Sequence, residues 1–406
     1  MKSVVTFSLG ILVVAALVGL RCGGQTAAMD HIRFATFNIE DVRTVDLLDP
    51  AHPRLTGAAA VIQRLRPDIL LVNELTYDYP ELPSGDGKPP GSNALRFAET
   101  FLAVSQGPGL EPMEYSVFQP ETNTGLHSGL DLDNSGDQTT TWQTPAPSDS
   151  VGAPPPQTRE GRTYGNDSWG FGTFPGQYGM ALFVRKGLRI LTDSIRTFQD
   201  FRWSAMPDAF VPTLPDGSPW YSNDEWTAYR LSSKTHAVVP VMFEDGRVVS
   251  AIISHPTPPA FDGDEQRNKK RNHDEIRLLA AIVNDESYVS DDHGVRGGLR
   301  SGSAFVILGD LNADPDEGST VGNPMQKFLL GSPRIVATFV PVADSIGITS
   351  FPRLDPDDTA QFGLRVDYVL PSSDFEIVGG GVYRPTELRG VSDHFPVWID
   401  ASWSRH

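Results

Sequence analysis

Short apolar runs, rich in Val, Ile, Leu and Phe, recur along the chain from residue 32 to residue 402. Runs this short, between polar stretches, are typical of β-strands. The clearest predicted strands cover 32–37, 68–72, 179–184, 238–243, 248–254, 304–308, 366–370 and 396–402. Apolar residues at helical spacing predict helices over 56–66 and from 273 to about 284. The pattern therefore predicts an α/β domain, and it leaves the order of the strands open.

The charge of the chain limits how it can hold a polyanion. Its 33 Lys and Arg residues face 51 Asp and Glu residues, which gives a formal net charge of -18. Proteins that grip nucleic acid non-specifically carry the opposite, basic surface. We therefore expect a polyanionic substrate to be held by local groups and by metal.

The N-terminus has the layout of a secretory signal peptide: a positive charge, a mostly apolar run over 4–20 and small residues that end at Ala28. We predict that residues 1–28 are such a signal and that the protein is secreted, periplasmic or on the cell surface. A lipoprotein signal at Cys22 is the alternative, although Arg21 stands where such signals have a small residue. A lipid or an uncleaved anchor would bring the N-terminus to a membrane.

Residues 29–406 are predicted to form one domain, because no shift in composition marks a second one. Within it, the segment at about 119–177 is rich in Gly, Asp, Thr, Ser and Pro and predicts a long irregular insertion. The segment 198–229 is crowded with aromatic residues.

Several predicted strands end at, or begin next to, an acid, an amide or an imidazole. These residues are Asn38, Glu74, His255, Asp310, Asn312, Asp367, Asp393 and His394. Polar groups at the ends of buried strands converge on one edge of a sheet, where α/β proteins commonly place their sites. Because oxygen ligands dominate the set, it suits Mg²⁺ or Mn²⁺ better than tetrahedral zinc. Such a set predicts phosphoryl transfer to water.

Five short motifs occur in an order that is similar to one known superfamily. They are Phe37-Asn38-Ile39, Asn73-Glu74, the run from Gly309 to Pro315, Asp367-Tyr368 and Ser392-Asp393-His394. From about residue 32 to residue 401 the chain resembles the endonuclease/exonuclease/phosphatase superfamily, which includes deoxyribonuclease I-like nucleases. The runs 174–180, 231–236 and 255–262 resemble a bacterial secreted subgroup of it. The resemblance implies a two-sheet, four-layer α/β sandwich and a divalent-metal-dependent phosphoesterase.

The resemblance also implies a metal site and a substrate-binding group. Glu74 would be the principal metal ligand, and Asp393 would lie near the metal. Asn38 would contact the metal or the phosphate.

Five further residues would carry the chemistry that the resemblance implies. Asp310 would orient or deprotonate the attacking water, with Asn312 as its partner on the phosphate. His394, oriented by Asp367, would face the scissile phosphate. His255 matches the second histidine of the deoxyribonuclease I-like branch, where it would protonate the leaving group.

A basic cluster at 267–273 contains Lys270 and Arg271, which are candidates for binding substrate phosphates. The alternative is that the cluster only solvates the start of a helix. Cations at a helix N-terminus oppose the helix dipole, so their placement there favours the substrate-binding interpretation.

The insertion contains alternating oxygen side chains that resemble the opening of a calcium loop. Asp131, Asp133, Ser135 and Asp137 are the candidate ligands of a structural Ca²⁺. Trp142 stands where such a loop has its terminal Glu, so an ordinary Asp-rich turn is the alternative.

We expect a nuclease-like phosphodiesterase that acts on nucleic acid or a small phosphoester, and no stable protein partner is implied. A phosphomonoesterase or a lipid-headgroup phosphodiesterase is the alternative. Exposed Trp203, Trp220 and Trp226 would favour the lipid substrate, because such rings seat at membrane interfaces. A non-catalytic binding protein on the same scaffold is a third possibility.

Overall fold

The computed structural model describes residues 31–404, except 83, 147, 149 and 154. The predicted signal peptide, with Cys22, lies outside the described residues. The strands are β1 (Ile32–Val42), β2 (Ile69–Leu75), β3 (Tyr115–Phe118), β4 (Met180–Arg185), β5 (Arg189–Ile190), β6 (Arg196–Thr197), β7 (His236–Met242), β8 (Val248–Ser254), β9 (Phe305–Asp310), β10 (Asp367–Pro371), β11 (Phe375–Val382) and β12 (Val397–Trp403).

Helical segments connect these strands. The α-helices are α1 (Thr44–Leu47), α2 (Pro53–Leu65), α3 (Asn93–Phe97), α4 (Arg159–Asn166), α5 (Asn223–Ala228), α6 (Arg267–Val283) and α7 (Ser345–Ser350). Short π-helical turns cover Ala98–Leu102 and Met325–Leu330, and 3₁₀ turns cover Thr192–Ser194, Trp203–Ala205 and Thr386–Gly390. In the described part of the chain, no helix has both the length and the apolar composition that a bilayer crossing requires.

The strands form two mixed sheets. The first has the order β11-β12-β1-β2-β4-β3, and the second has the order β10-β9-β8-β7-β5, with β6 also paired to β7. Each sheet contains one parallel pair, β1 with β2 and β8 with β9. The predicted two-sheet α/β sandwich is therefore confirmed.

Alternate residues of β9 face two different hydrophobic cores. Val306 and Leu308 join the core that also holds the buried residues of the first sheet, α2 and α3. Phe305 and Ile307 join the second core with Ile276 of α6. Since successive strand residues point to opposite faces, the second sheet is packed on both sides. The layers are thus helix, sheet, sheet and helix.

The aromatic-rich segment 198–229 builds the second core. Trp203, Tyr221 and Tyr229 are buried there, while Trp220 and Trp226 are half-buried and pack against the same cluster. The lipid-substrate interpretation needed exposed tryptophans, so it loses its support.

Candidate active site

The two sheets meet at the residue pair Asn38 and Asp310. Asn38 lies on β1 and Asp310 is the last residue of β9. The Asn38 Nδ2 donates to Asp310 Oδ2 at 3.0 Å and to Glu74 Oε1 at 3.1 Å. Asp367, the first residue of β10, is the register partner of Asp310. Residues distant in sequence thus meet at one edge of the sandwich.

Asp310 is buried between two imidazoles. Its Oδ2 lies 3.3 Å from His255 Nε2 and 3.8 Å from His394 Nε2. Burial alone would raise the pKa of Asp310, but the two imidazoles and the Asn38 amide outweigh burial and hold the pKa below its usual value. The carboxylate is therefore ionised at neutral pH.

His394 and Asp367 form a buried dyad. The His394 Nδ1 lies 2.9 Å from Asp367 Oδ2, and the Asp367 backbone N–H donates to Thr359 Oγ1 at 3.0 Å. Burial alone would lower the pKa of His394, but Asp367 and Asp310 outweigh it and hold the pKa well above the usual value. Burial raises the pKa of Asp367 to about 6, against the opposing effect of His394. The dyad thus presents a protonated imidazole next to Asp310.

His255 has the opposite electrostatic character. Burial, reinforced by the nearby Lys234 ammonium, lowers the pKa of His255 to about 4. The imidazole is neutral at pH 7, and its Nε2 faces the Asp310 carboxylate. In this geometry the His255 Nε2 can donate a hydrogen bond to Asp310, and the leaving-group protonation that the resemblance implied stays a prediction.

Asn312 follows Asp310 in a left-handed backbone conformation, with a φ of 53°. Its backbone N–H donates to Asp310 Oδ1 at 3.0 Å, and its side-chain Nδ2 donates to the Pro256 carbonyl at 3.1 Å. The turn therefore fixes the second carboxylate oxygen of Asp310 while it places Asn312 beside it.

Three carboxylates crowd the side of the site next to Asn38. Glu74 Oε2 accepts the Asp41 backbone N–H at 2.9 Å, and Glu40 Oε2 accepts the Asp393 backbone N–H at 3.2 Å. Burial and the Asp393 charge raise the pKa of both Glu74 and Glu40 to about 7. Negative charge is under-compensated here, as expected of a site for a cation.

The donor set of this acidic side fits a hard divalent cation. Glu74 would hold it, and Asp393 and Glu40 offer further oxygens. One oxygen of Glu74 and one ligand atom each of His255 and Asp310 lie within 4.8 Å of one another. The Asn38 Oδ1 accepts the Glu40 backbone N–H at 2.9 Å, while its Nδ2 connects the carboxylates of Glu74 and Asp310. Its predicted contact with the metal or the phosphate stays a prediction.

Glu40, at the end of the first predicted strand, and Lys234 are also parts of this site, although neither was assigned a role in it from the sequence. Glu40 belongs to β1, but a φ of 54° turns the strand there, and no sequence pattern signals that turn. Lys234 is buried, and burial lowers its pKa while Glu275, Glu74 and Asp310 oppose the shift. These three carboxylates therefore stabilise the charged form of Lys234.

Lys270 and Arg271, the predicted phosphate-binding residues, make hydrogen bonds inside the protein. Both are buried in the first turns of α6. Arg271 donates to the carbonyls of Leu231 at 2.9 Å and Trp169 at 2.6 Å, and Lys270 donates to that of Val211 at 3.3 Å. These donors already satisfy buried carbonyl groups, so the contacts favour a structural role, and substrate binding stays a prediction.

The predicted calcium loop is only partly assembled. Carboxylate oxygens of Asp131 and Asp133 lie within 4.8 Å of each other and of Asp167, which was not predicted. Asp137 instead forms an ion pair with Arg159. The Ser135 hydroxyl donates to the Asp137 carbonyl, so it is also turned to another partner.

The model of the Endonuclease/Exonuclease/phosphatase family matches residues 35–394. A search of curated proteins found no match.

Among solved structures, an endonuclease/exonuclease/phosphatase from Beutenbergia cavernae DSM 12333 is 19% identical, with 92% of this chain and 72% of that chain covered and a TM-score of 0.49. A family protein from Leptotrichia buccalis C-1013-b is 12% identical, with 92% and 100% covered and a TM-score of 0.48. The human Nocturnin catalytic domain with bound sulfate is 14% identical, with 92% and 94% covered and a TM-score of 0.45.

The family match covers most of the 406 residues and spans every strand-end residue discussed above, from Asn38 to His394. The chain therefore belongs to the endonuclease/exonuclease/phosphatase family and is a metal-dependent phosphoester hydrolase.

Proposed function

We propose that this enzyme hydrolyses phosphodiesters, with nucleic acid or its fragments as the substrate class. The observation that carries the proposal is the environment of Asp310, a buried carboxylate held ionised between two imidazoles. An ionised carboxylate beside a phosphate-binding imidazole can accept a proton from an attacking water.

Each residue of the site has one role in this proposal. Asp310 orients the water and takes its proton, and His255 and Asn38 hold the Asp310 carboxylate in place by donating to it. The His394 imidazolium, fixed by Asp367, donates to a phosphate oxygen as negative charge builds up there. The cation held by Glu74 supplies positive charge to the phosphate when it is bound.

An exposed aromatic ring beside the site favours a substrate with a base. Phe362 is 53% exposed, and its ring meets His394 edge to face at 5.5 Å between centroids. Rings at such positions stack nucleobases. We expect Phe362→Leu to raise the KM for a dinucleotide phosphodiester about tenfold, because stacking on one ring contributes about 1–3 kcal/mol. Val378→Leu, at an exposed position of β11, is the control. Equal KM values for the wild type and both variants would refute stacking.

The substrate class can be tested by comparing phosphodiesters with phosphomonoesters. Bis-p-nitrophenyl phosphate, p-nitrophenyl phosphate, plasmid DNA and RNA are incubated with the purified protein and Mg²⁺, Mn²⁺ or EDTA. We expect metal-dependent cleavage of the diesters and of nucleic acid. A preference for p-nitrophenyl phosphate would overturn the proposal in favour of a phosphomonoesterase.

We further propose that the enzyme acts outside the cytoplasm. The support is the signal-like layout of residues 1–28. Mass spectrometry of the full chain after bacterial expression tests it: a mature protein that begins near residue 29, recovered outside the cytoplasm, is expected. Intact cytoplasmic protein would contradict export, and a lipid on Cys22 would replace secretion by anchoring.

A further inference from the structure

A group of three carboxylates lies in the insertion, apart from the residues of the active site. Oxygens of Asp131, Asp133 and Asp167 all lie within 4.8 Å of one another. No Lys or Arg side chain of the described residues is within ion-pair distance of the three. Arg267, whose charge interacts with that of Asp133, donates to the Leu132 carbonyl at 3.0 Å and not to a carboxylate of the cluster.

Asp167 supplies a second and independent observation. Its side chain is 0% exposed, and its Oδ2 has no hydrogen-bond partner among the described residues. The other oxygen accepts the Leu132 backbone N–H at 2.9 Å. A buried acceptor without a partner is costly, and it faces two further carboxylates here.

The charge state of Asp167 reflects the same shortage of positive charge. Burial, followed by the charges of Asp133 and Asp131, raises its pKa to about 7, although the backbone N–H groups of Leu132 and Asp133 oppose the shift. Either a proton or a bound cation must neutralise this position near neutral pH.

The remaining oxygens of the cluster are held in place by local donors. Asp131 accepts the backbone N–H groups of Ser135 at 3.0 Å and Gly136 at 2.9 Å. Asp133 Oδ2 accepts the Asn166 Nδ2 at 2.8 Å. The three carboxylates are therefore oriented by the backbone of the turn and by α4 before any ligand binds.

We propose that Asp131, Asp133 and Asp167 bind a hard divalent cation, with Ca²⁺ the best match because it takes carboxylate oxygens as ligands in irregular geometry. The site differs from the loop that the sequence predicted, because Asp167 takes the place of Ser135 and Asp137. The distant ligand could not be recognised from the local spacing.

The position of this cation site connects it to the active site. It joins residues 131–133 to residue 167 and so closes the excursion between them. That excursion includes Gly152, whose backbone N–H donates to Glu40 Oε1 at 2.6 Å. Closing a loop removes part of the entropy that the segment would lose when it orders, so the cation stabilises this contact of the insertion with the active site.

Calcium binding can be measured separately from catalysis in the Glu74→Gln background, which removes the principal ligand of the active-site cation. Isothermal titration calorimetry of the chelator-treated Glu74→Gln protein with CaCl₂ alone is expected to show one binding site. That site is expected to be lost in Glu74→Gln/Asp167→Asn and retained in Glu74→Gln/Asp137→Asn, the matched control in the same loop. Equal binding by these last two variants, or no binding in Glu74→Gln, would overturn the proposal.

A variant that misfolds would also lose Ca²⁺ binding, so thermal unfolding provides a second test. Saturating Ca²⁺ is expected to raise the Tm of Glu74→Gln by about 4 °C and to leave that of the Asp167→Asn double variant unchanged. Without Ca²⁺, Asp167→Asn is expected to have a Tm no lower than its parent, because it removes a buried charge. A lower Tm without Ca²⁺ would mean that Asp167 stabilises the fold without a cation and would contradict the inference.

Discussion

At the scale of single residues, the ionisation of Asp310 depends on groups that come from both sheets. Asn38 from β1, His255 after β8 and His394 before β12 all surround its carboxylate. The strand-end motifs predicted this convergence because each residue follows or precedes a strongly apolar strand. The same pattern put Glu40 at the end of the first strand, but it did not predict the turn of the backbone inside β1 that brings its carboxylate to the site.

Asp310→Asn tests the proton acceptor directly. The amide keeps the size of the side chain but cannot take a proton from water, so kcat for bis-p-nitrophenyl phosphate is expected to fall about a thousandfold. Circular dichroism and Tm should remain close to those of the wild type. Asp316→Asn, an exposed residue of the following loop, is the control and should keep full activity. Turnover of Asp310→Asn within tenfold of wild type would rule out this role.

His236, which has no assigned catalytic role, allows a prediction of how stability depends on pH. It is buried, its Nε2 faces the Glu275 carbonyl at 3.0 Å, and burial lowers its pKa from 6.5. Below about pH 6.5 the unfolded state binds a proton that the folded imidazole does not, so the free energy of unfolding falls as the pH drops.

His236→Gln removes this titration while it keeps a donor for the carbonyl. Urea unfolding of both proteins between pH 7 and pH 5 should show a smaller loss of stability in the variant, by at most about 1.4 kcal/mol per pH unit. Parallel curves would mean that His236 does not contribute to acid destabilisation.

At the scale of elements, α6 begins at Arg267, six residues before the predicted helix. Its apolar periodicity starts only after the first turns, where polar residues such as Arg271 make buried hydrogen bonds. The strand β11 was also not predicted, because it contains three consecutive glycines and glycine is depleted in strands. Only glycine fits at position 380, because an added Cβ would lie 2.7 Å from the Phe339 ring.

Arg271→Ala separates a structural role from substrate binding. The change leaves buried carbonyls without a donor, so the free energy of unfolding is expected to fall by about 3 kcal/mol. The KM of the folded enzyme should not change. Lys269→Ala in the same turn is the control for a lost surface charge. A raised KM with unchanged stability would restore the substrate-binding interpretation.

At the scale of the whole molecule, the sandwich depends on pairings that local patterns do not reveal. β1 pairs with β12, so that Ile32 lies opposite Ala401. The strand pattern predicted that these segments exist, and the motif resemblance supplied the two-sheet arrangement. The first and last strands of the described residues must therefore pair before the site between the sheets is complete.

The central claim is that one acidic side of this sandwich holds the cation used in phosphodiester hydrolysis. Its most direct test is a Mg²⁺ titration of bis-p-nitrophenyl phosphate hydrolysis by wild type and Glu74→Gln after chelator treatment. We expect no wild-type turnover without added metal, saturable activation by Mg²⁺, and at least about a hundredfold lower activity in Glu74→Gln at saturating Mg²⁺. Full turnover in EDTA, or wild-type activation in Glu74→Gln, would contradict the account.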